Sequence, residues 1–297
     1  MTVDAARDRN RPTVTYLVAN HDNGRFLPDC IASLLAQRDT SWLAVICDDA
    51  SSDDSIDVIR SNPDPRIRLV RNQRNTGYIA TLRRLIDEAS TDVVAILDPD
   101  DAIAPDTTAH LIRAFSSADD VAFVYSRFAE CGPDLNDTRA VRGSAIPPGG
   151  SCLWHGTVGH ILSFRRSAYH ATAGLDDAML FAEDRDLVYK LEEVAQPVFV
   201  DDVLYLYRVV PGSQSHHPQR RERGARNAWR ARRAALARRS VRGLHRVLWE
   251  VVFLSDYLAY SDRRPAVIRR VADLAARRLG RLTMRPAVRS AGLRRHA

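Results

Sequence analysis

The stretch D-V-V-A-I-L-D-P-D-D, residues 92–101, decides how the chain reads. Its five successive apolar residues, 93–97, form the short bounded run expected of a strand buried on both faces inside a parallel sheet. The run then turns acidic. Asp98, Asp100 and Asp101 crowd three carboxylates onto the carboxyl end of a strand, where open α/β sheets place their ligands. Like charges so close repel unless a cation sits among them, and hard divalent cations such as Mg2+ or Mn2+ take oxygen ligands. One reading is therefore a cation site that receives a diphosphate. The other is a plain acidic turn, with Pro99 as its breaker and Asp101 or Asp106 capping the next helix.

Working outward, residues 13–19 (T-V-T-Y-L-V-A) read as a first buried strand. A helix follows, with Phe26, Leu27, Ile31, Leu34 and Leu35 at helical spacing. Residues 42–47 form a second strand that also ends in acid, at Asp48 and Asp49. Ser51 or Ser52 would cap the helix after it, and Asp53 and Asp54 would complement its dipole. A third strand is expected over 66–70, a helix over 76–89 after a loop containing Gly77, and another helix over 107–115. The β-α-β-α-β-α-β order predicts an α/β fold with a doubly wound, mainly parallel sheet.

After a strand at 121–125 the pattern loosens. Residues 131–150, rich in Gly, Pro, Asp and Asn, read as a long loop able to fold over a ligand. H-G-T-V-G-H, residues 155–160, holds two glycines that either make turns or let a ligand approach the backbone. A second acidic node begins a helix at 181–194, F-A-E-D-R-D-L-V-Y-K-L-E-E-V. Glu183, Asp184 and Asp186 at its amino end each complement the helix dipole by about 0.3–1 kcal/mol. A carboxylate there with a tuned pKa could also accept a proton from a hydroxyl. Two short strands, 198–200 and 203–207, close this part.

The 297 residues are 45% hydrophobic and 27% charged, a globular composition large enough for one domain or a domain with an appendage. Cys30, Cys47, Cys131 and Cys152 form no C-x-x-C pair, which suits free thiols in a reducing compartment. The first residues lack the apolar core of a signal peptide, and no later stretch nears the roughly 20 apolar residues of a spanning helix. A cytoplasmic protein is expected. Charge is uneven: residues 219–297 hold 22 Arg against 5 acids, about +17, leaving about −11 for the rest. We therefore expect a flexible N-terminus at 1–11, a main domain at 12–215 and an Arg-rich amphipathic helical extension at 219–297. The extension's apolar stripes suit packing on the main domain, pairing with a second subunit, or contact with an anionic membrane surface at the inner face of the cell membrane. Nucleic acid is disfavoured as a partner, because basic charge is present without a recognition motif.

In order, Y-L-V-A-N, C-I-A-S-L-L-A-Q, C-D-D-A-S-S-D-D-S, N-T-G, L-D-P-D-D, A-E-D-R-D-L-V-Y-K-L and Y-R-V-V-P-G-S resemble the inverting family 2 glycosyltransferases of GT-A fold. The resemblance covers about residues 12–215. It implies that Asp49 contacts the nucleotide base of a UDP- or dTDP-sugar donor, with Asn20 in the bordering loop. It further implies that Asp98 and Asp100 form a D-x-D motif holding the ribose and, through a divalent metal (Mg2+ or Mn2+), the diphosphate, with Asp101 a rival to Asp100. Asp184 matches the catalytic base and Glu183 its neighbour. The implied reaction moves one sugar to a hydroxyl acceptor, lipid-linked or part of an envelope glycan. One departure stands out: many relatives carry a histidine where Val210 stands, and His216 or His217 lies a few residues on as a substitute. The rival readings are another transferase that uses a nucleotide diphosphate, and a noncatalytic scaffold whose basic tail binds an anionic surface.

Overall fold

A computed structural model describes residues 14–118, 120–156, 158–210 and 218–260, with 271, 274 and 275 beyond them. The expected stretch 1–11, the pair His216 and His217, and most of the tail past residue 260 lie outside the described residues.

Four parallel strands build one half of the sheet: β1 (Val14–Asn20), β2 (Trp42–Asp48), β3 (Ile67–Arg71) and β4 (Val93–Ile96). Their crossovers are α1 (Leu27–Leu35), α2 (Ser55–Arg60) and α3 (Tyr78–Glu88). The strand run is apolar throughout because both faces are covered, and the two-residue period sorts it into two cores. Leu17, Val45, Cys47 and Val94 meet Leu82 and Leu85 of α3 on one face. Tyr16, Val18, Ala44 and Ile46 meet Ile31 and Leu34 of α1 on the other. The second core also takes Leu111 and Phe115 from α4 (Thr107–Ser116), which follows the two-residue strand β5 (Ala102–Ile103).

The other half is mixed. β6 (Val121–Cys131) folds back on β7 (Thr138–Arg142), so the expected loop at 131–150 begins as a hairpin. α5 (Cys152–His155), β8 (Ser163–Arg165), α6 (Arg166–His170), a 3-10 turn (Asp177–Met179), α7 (Glu183–Glu192) and β9 (Gln196–Arg208) follow. The sheet order is β3-β2-β1-β4-β8-β6-β9-β5, with β8 antiparallel to both β4 and β6. β9 is a single strand of 13 residues where two short ones were expected. Asp201 and Asp202 look like a break in it, but Asp201 pairs with Arg127 on β6 and Asp202 lies 3.4 Å from His110 on α4.

Two helices complete the described chain, α8 (Pro218–Arg238) and α9 (Gly243–Tyr260). Of the three fates open to the tail, they take packing: Ala231, Ala235, Leu236, Trp249 and Phe253 enter the same core as α3 and α7. Trp154 of α5 stacks on Trp249 at 4.7 Å. Arg239, just past α8, is nearly buried against Glu192 at 2.8 Å, and Glu192 also accepts from the Ser151 hydroxyl and the Cys152 N–H. Removing one partner of such a buried pair costs about 3–5 kcal/mol, so this group fixes α8 to the domain. Among the described residues no helix is long and apolar enough to cross a membrane.

Candidate active site

β4 delivers Asp98, Pro99, Asp100 and Asp101 to the carboxyl edge of the sheet, and β9 arrives there antiparallel to β5. Asp101 is 1% exposed, and both its oxygens are taken: one by the Tyr205 hydroxyl at 2.8 Å, the other by the Arg208 N–H at 2.7 Å. The Arg208 guanidinium donates to the Asp100 carbonyl at 2.6 Å, to Asp29 at 2.7 Å and to the Pro133 carbonyl. Asp101 and Arg208 therefore set the shape of the turn. Asp98 lies 3.4 Å from the same Tyr205 oxygen, a weak contact next to the shorter bond Tyr205 makes with Asp101. No side-chain donor reaches the Asp100 carboxylate among the described residues. Of the two rivals for a cation, Asp100 is the one whose carboxylate no side chain among the described residues occupies.

The second acidic node faces the same space. Tyr78, half-buried at the start of α3, has its hydroxyl pushed well above its usual range by desolvation and then by the charges of Asp98, Glu183, Asp184 and Asp100. Burial raises the Asp98 carboxyl to about 6, with the Asp184 charge adding to the shift. Burial and the charge of Asp98 likewise raise Asp100 to about 6. Glu183 is pushed up to about 7 by burial and by Asp184, and its Oε2 is buried without a hydrogen-bond partner. Asp184 is exposed and accepts the Arg185 N–H at 2.7 Å. Asp186 is buried in a 2.6 Å pair with Lys190 and belongs to the helix's own structure.

Local backbone geometry aims this node. Phe181 adopts φ 68°, a left-handed conformation that costs a residue with a Cβ about 1–3 kcal/mol. The α8 helix holds it there: Asn227 donates to the Leu180 carbonyl at 2.8 Å, and a Cβ on Gly224 would lie 2.9 Å from the Phe181 oxygen. Glycine at 224 is what lets the helix come this close.

His160 also belongs to the site. Its ring stacks on Tyr205 at 4.4 Å and Tyr207 at 5.4 Å, and meets the edge of Phe128. Burial lowers its pKa to about 4 against the pull of Asp184 and Asp100, so the imidazole is neutral at ordinary pH. It ends the H-G-T-V-G-H segment, whose sequence signal lies in its glycines. Arg208 falls within the quoted Y-R-V-V-P-G-S, but its bonds to Asp100, Asp29 and Pro133 depend on tertiary packing; Tyr78 and Tyr205 carried no sequence signal, because their roles depend on where α3 and β9 are placed.

The acids at the end of β2 behave differently. Asp48 is fully buried and accepts from the Asn20 amide at 3.0 Å and from the Ser51 N–H and hydroxyl. Ser51 is thereby spent on Asp48, and Ser52 donates to Asp22, so neither caps α2. Asp53 does the local work, accepting the N–H groups of Ser55 and Gly24. Asp49 accepts four hydrogen bonds: from Asn72 at 2.7 Å, from the Thr76 N–H at 2.8 Å and hydroxyl at 3.0 Å, and from the Gly77 N–H at 2.8 Å. Burial alone would raise its carboxyl, but those donors outweigh burial and hold it below the usual range. Asn20 is buried beside this pair with its Oδ1 unpartnered.

Among the described residues no three His, Cys, Asp or Glu side chains are arranged to hold a metal by themselves. A divalent cation still fits the Asp98–Asp100 edge. Mg2+ characteristically takes one or two carboxylates and completes its shell with substrate phosphates and water, and among the described residues these two meet no side-chain donor beyond the weak 3.4 Å contact of Asp98 with Tyr205. Val210 offers no further ligand.

The sequence profile of Glycosyl transferase family 2 matches residues 15–172, more than half of the chain. The succinoglycan biosynthesis protein ExoO of Rhizobium meliloti is 33% identical over 107 residues, which cover 36% of this chain and 31% of that protein. The chondroitin synthase of Pasteurella multocida is 25% identical over 218 residues, 69% of this chain and 21% of the synthase. The chain thus spans a third or less of these two relatives. Among solved structures, S. aureus TarS 1–349 in complex with UDP-GlcNAc superposes with TM-score 0.69 at 15% identity, covering 89% of this chain and 79% of that one. Mannosyltransferase PcManGT from Pyrobaculum calidifontis, in complex with GDP-Man and Mn2+, gives TM-score 0.59 at 19% identity, covering 95% and 84%. At such identities the likeness shows the fold, which is of the GT-A type. By its sequence profile and its fold, the chain belongs to glycosyl transferase family 2.

Proposed function

We propose that the chain moves one sugar from a nucleoside-diphosphate donor to a hydroxyl acceptor with inversion at the anomeric carbon. Residues 12–215 would form the catalytic unit and 219–297 an extension, of which α8 and α9 pack on it. The observation carrying this reading is the convergence of Asp98, Asp100, Glu183 and Asp184, from two distant parts of the chain, on the one space that Tyr78 faces.

In the proposed mechanism Asn20 and Asp49 border the base. Asp49 keeps a lone pair on Oδ2, which takes only the Gly77 N–H, and that suffices for one imide N–H of a uracil or thymine base. UDP- and dTDP-sugars are accordingly the favoured donors. Asp98 meets the ribose, and Asp98 with Asp100 would hold Mg2+ or Mn2+ against the diphosphate; Asp101 acts through the turn it anchors. The cation supplies neutralisation of the charge that develops on the departing diphosphate. Asp184 accepts the acceptor hydroxyl's proton while that oxygen bonds the anomeric carbon and the bond to the diphosphate breaks. Glu183, held near a pKa of about 7, keeps a proton beside Asp184 and avoids a second full charge there.

The acceptor is proposed to be lipid-linked or part of an envelope glycan, reached from the cytoplasmic face of the membrane. The motivation is α9, which turns Leu244, Val247 and Leu254 to solvent while Arg242 and Arg246 flank them. Sedimentation with vesicles containing anionic phospholipid at low salt checks this, and protein that stays in the supernatant sinks it.

Calorimetric titration with UDP, dTDP and GDP, in Mn2+ and then EDTA, tests the donor site. Cation-dependent binding of one base, lost in Asp100→Ala, is the expected result. A folded protein that binds none of them would favour the scaffold reading instead.

A further inference from the structure

Beside the segment that leads into α7, whose first residues are Glu183 and Asp184, lies a small groove of about 210 Å³, lined by Ala178, Glu222, Arg223, Arg226, Asn227 and Arg230. Ala178 stands five residues before Glu183, and Asn227 is the residue that ties α8 to the Leu180 carbonyl. The groove is therefore built into the frame that aims the proposed base. Its three arginines follow one another at spacings of three and four, which puts them on one face of α8. Arg226 pairs with Glu222 at 3.4 Å. Arg223 and Arg230 are exposed and have no carboxylate partner among the described residues. Glu222 neutralises Arg226 alone, so the charges of Arg223 and Arg230 in the groove lining are left for an anion to neutralise.

We propose that this groove binds a phosphoryl group of the acceptor, so that the acceptor is a phosphate-bearing glycan or glycan lipid. The inference rests on the reading of Asp184 as the base that faces the acceptor. Two features select the ligand's chemistry. Glu222 already takes Arg226, which leaves the guanidinium charges of Arg223 and Arg230 for a ligand, and a phosphoryl group's charge of about −1.5 to −2 matches both where a carboxylate matches one. The cavity is also smaller than the roughly 300–1,000 Å³ that encloses a whole small ligand. It suits one anionic group, with the rest of the acceptor extending toward Asp184.

The test titrates the full chain with octyl β-glucoside 6-phosphate, octyl β-glucoside and octyl β-glucuronide. The phosphate-bearing probe should bind at least about tenfold more tightly than the other two, the size of effect expected for hydrogen bonds to a charged group. Charge reversal at Arg223→Glu with Arg230→Glu should erase that preference, and Arg→Lys at both positions should keep part of it; thermal melting verifies that each variant is folded. Equal binding of the three probes, glucuronide binding as tight as phosphate binding, or an unchanged preference after charge reversal would each overturn the proposal. Soluble glycerol-phosphate oligomers and polyprenyl phosphate in phosphatidylcholine vesicles separate the two sources. Arginine-dependent binding of either names the source, and binding of neither overturns the proposal. Nucleoside-diphosphate binding with Mn2+ is measured on the same preparation. Its failure, with phosphate binding intact, indicts the donor reading and not the groove.

Discussion

The carboxyl ends of β2 and β4 lie in the same half of one sheet, and both end in clustered aspartates, D-D and D-P-D-D. At β2 the protein supplies the donors: Asp49 alone accepts four hydrogen bonds, and its carboxyl is held low. At β4 the donors run out after Asp101, and Asp98 and Asp100 are pushed up to about 6. Two acid clusters of similar sequence thus differ in who neutralises them. Charge count does not reveal a ligand site; the number of donors each carboxylate meets does. Glu183, with an unpartnered buried oxygen, falls on the same side as Asp98 and Asp100.

The largest break of this comparison is expected at the proposed base. Asp184→Asn should lower sugar transfer about 10²–10⁴-fold while leaving nucleotide binding in place; near-normal transfer would remove Asp184 from that role. Next, Asp100→Ala should weaken Mn2+-dependent nucleotide binding at least about a hundredfold, above the upper range for loss of a residue that only supports a metal ligand. Retained cation dependence would move the site away from β4. The two strand ends should then separate in stability. Asp49→Ala strands the donors of Asn72, Thr76 and Gly77 and should cost about 3 kcal/mol, measured by urea unfolding, whereas Asp100→Asn should leave the midpoint unchanged or raise it.

The pH response should carry opposite signs at the two ends. A carboxyl raised in the folded state contributes stability below its unfolded pKa and loses it as pH rises through the folded value. For Asp98, Asp100 and Glu183 that window runs from about pH 4 to about pH 7. Asp49, held low, contributes above its unfolded pKa and loses its share only in acid. His160, lowered to about 4, works against the β4 group, losing its contribution as pH falls through the same range. Four raised acids, Asp101 included, face that one histidine. The metal-free protein should therefore melt at lower temperature at pH 7 than at pH 5, and Mn2+ should flatten the slope. A melting temperature that climbs from pH 5 to 7 in EDTA would contradict the donor-poor description of β4. The smallest effect belongs at the exposed Asp106–Arg38 pair, where Asp106→Ala should cost under about 1 kcal/mol and leave binding untouched.

Much of this was legible from sequence because burial on both faces leaves a short apolar run, and the residue just after the run marks the strand's carboxyl edge. That logic located Asp48, Asp49, Asp98, Asp100 and Asp101, and the helix dipole located Glu183 and Asp184. The continuity of β9 was hidden because Asp201 and Asp202 resemble a turn until Arg127 and His110 are placed opposite them. His160 was hidden because its signature is a stack on two tyrosines of β9, some 45 residues away.

The amino-acid sequence by itself determined the α/β character, the acid-tipped strands and the basic tail, all properties of local composition and period. Only the tertiary structure decided which acids meet few donors, that α8 packs against the segment leading into α7 and Asp184, and that its arginines share a groove there. Those outcomes depend on donors brought from distant strands and helices, and a hydrogen bond's partner is set by distance in space, which residue order alone does not specify.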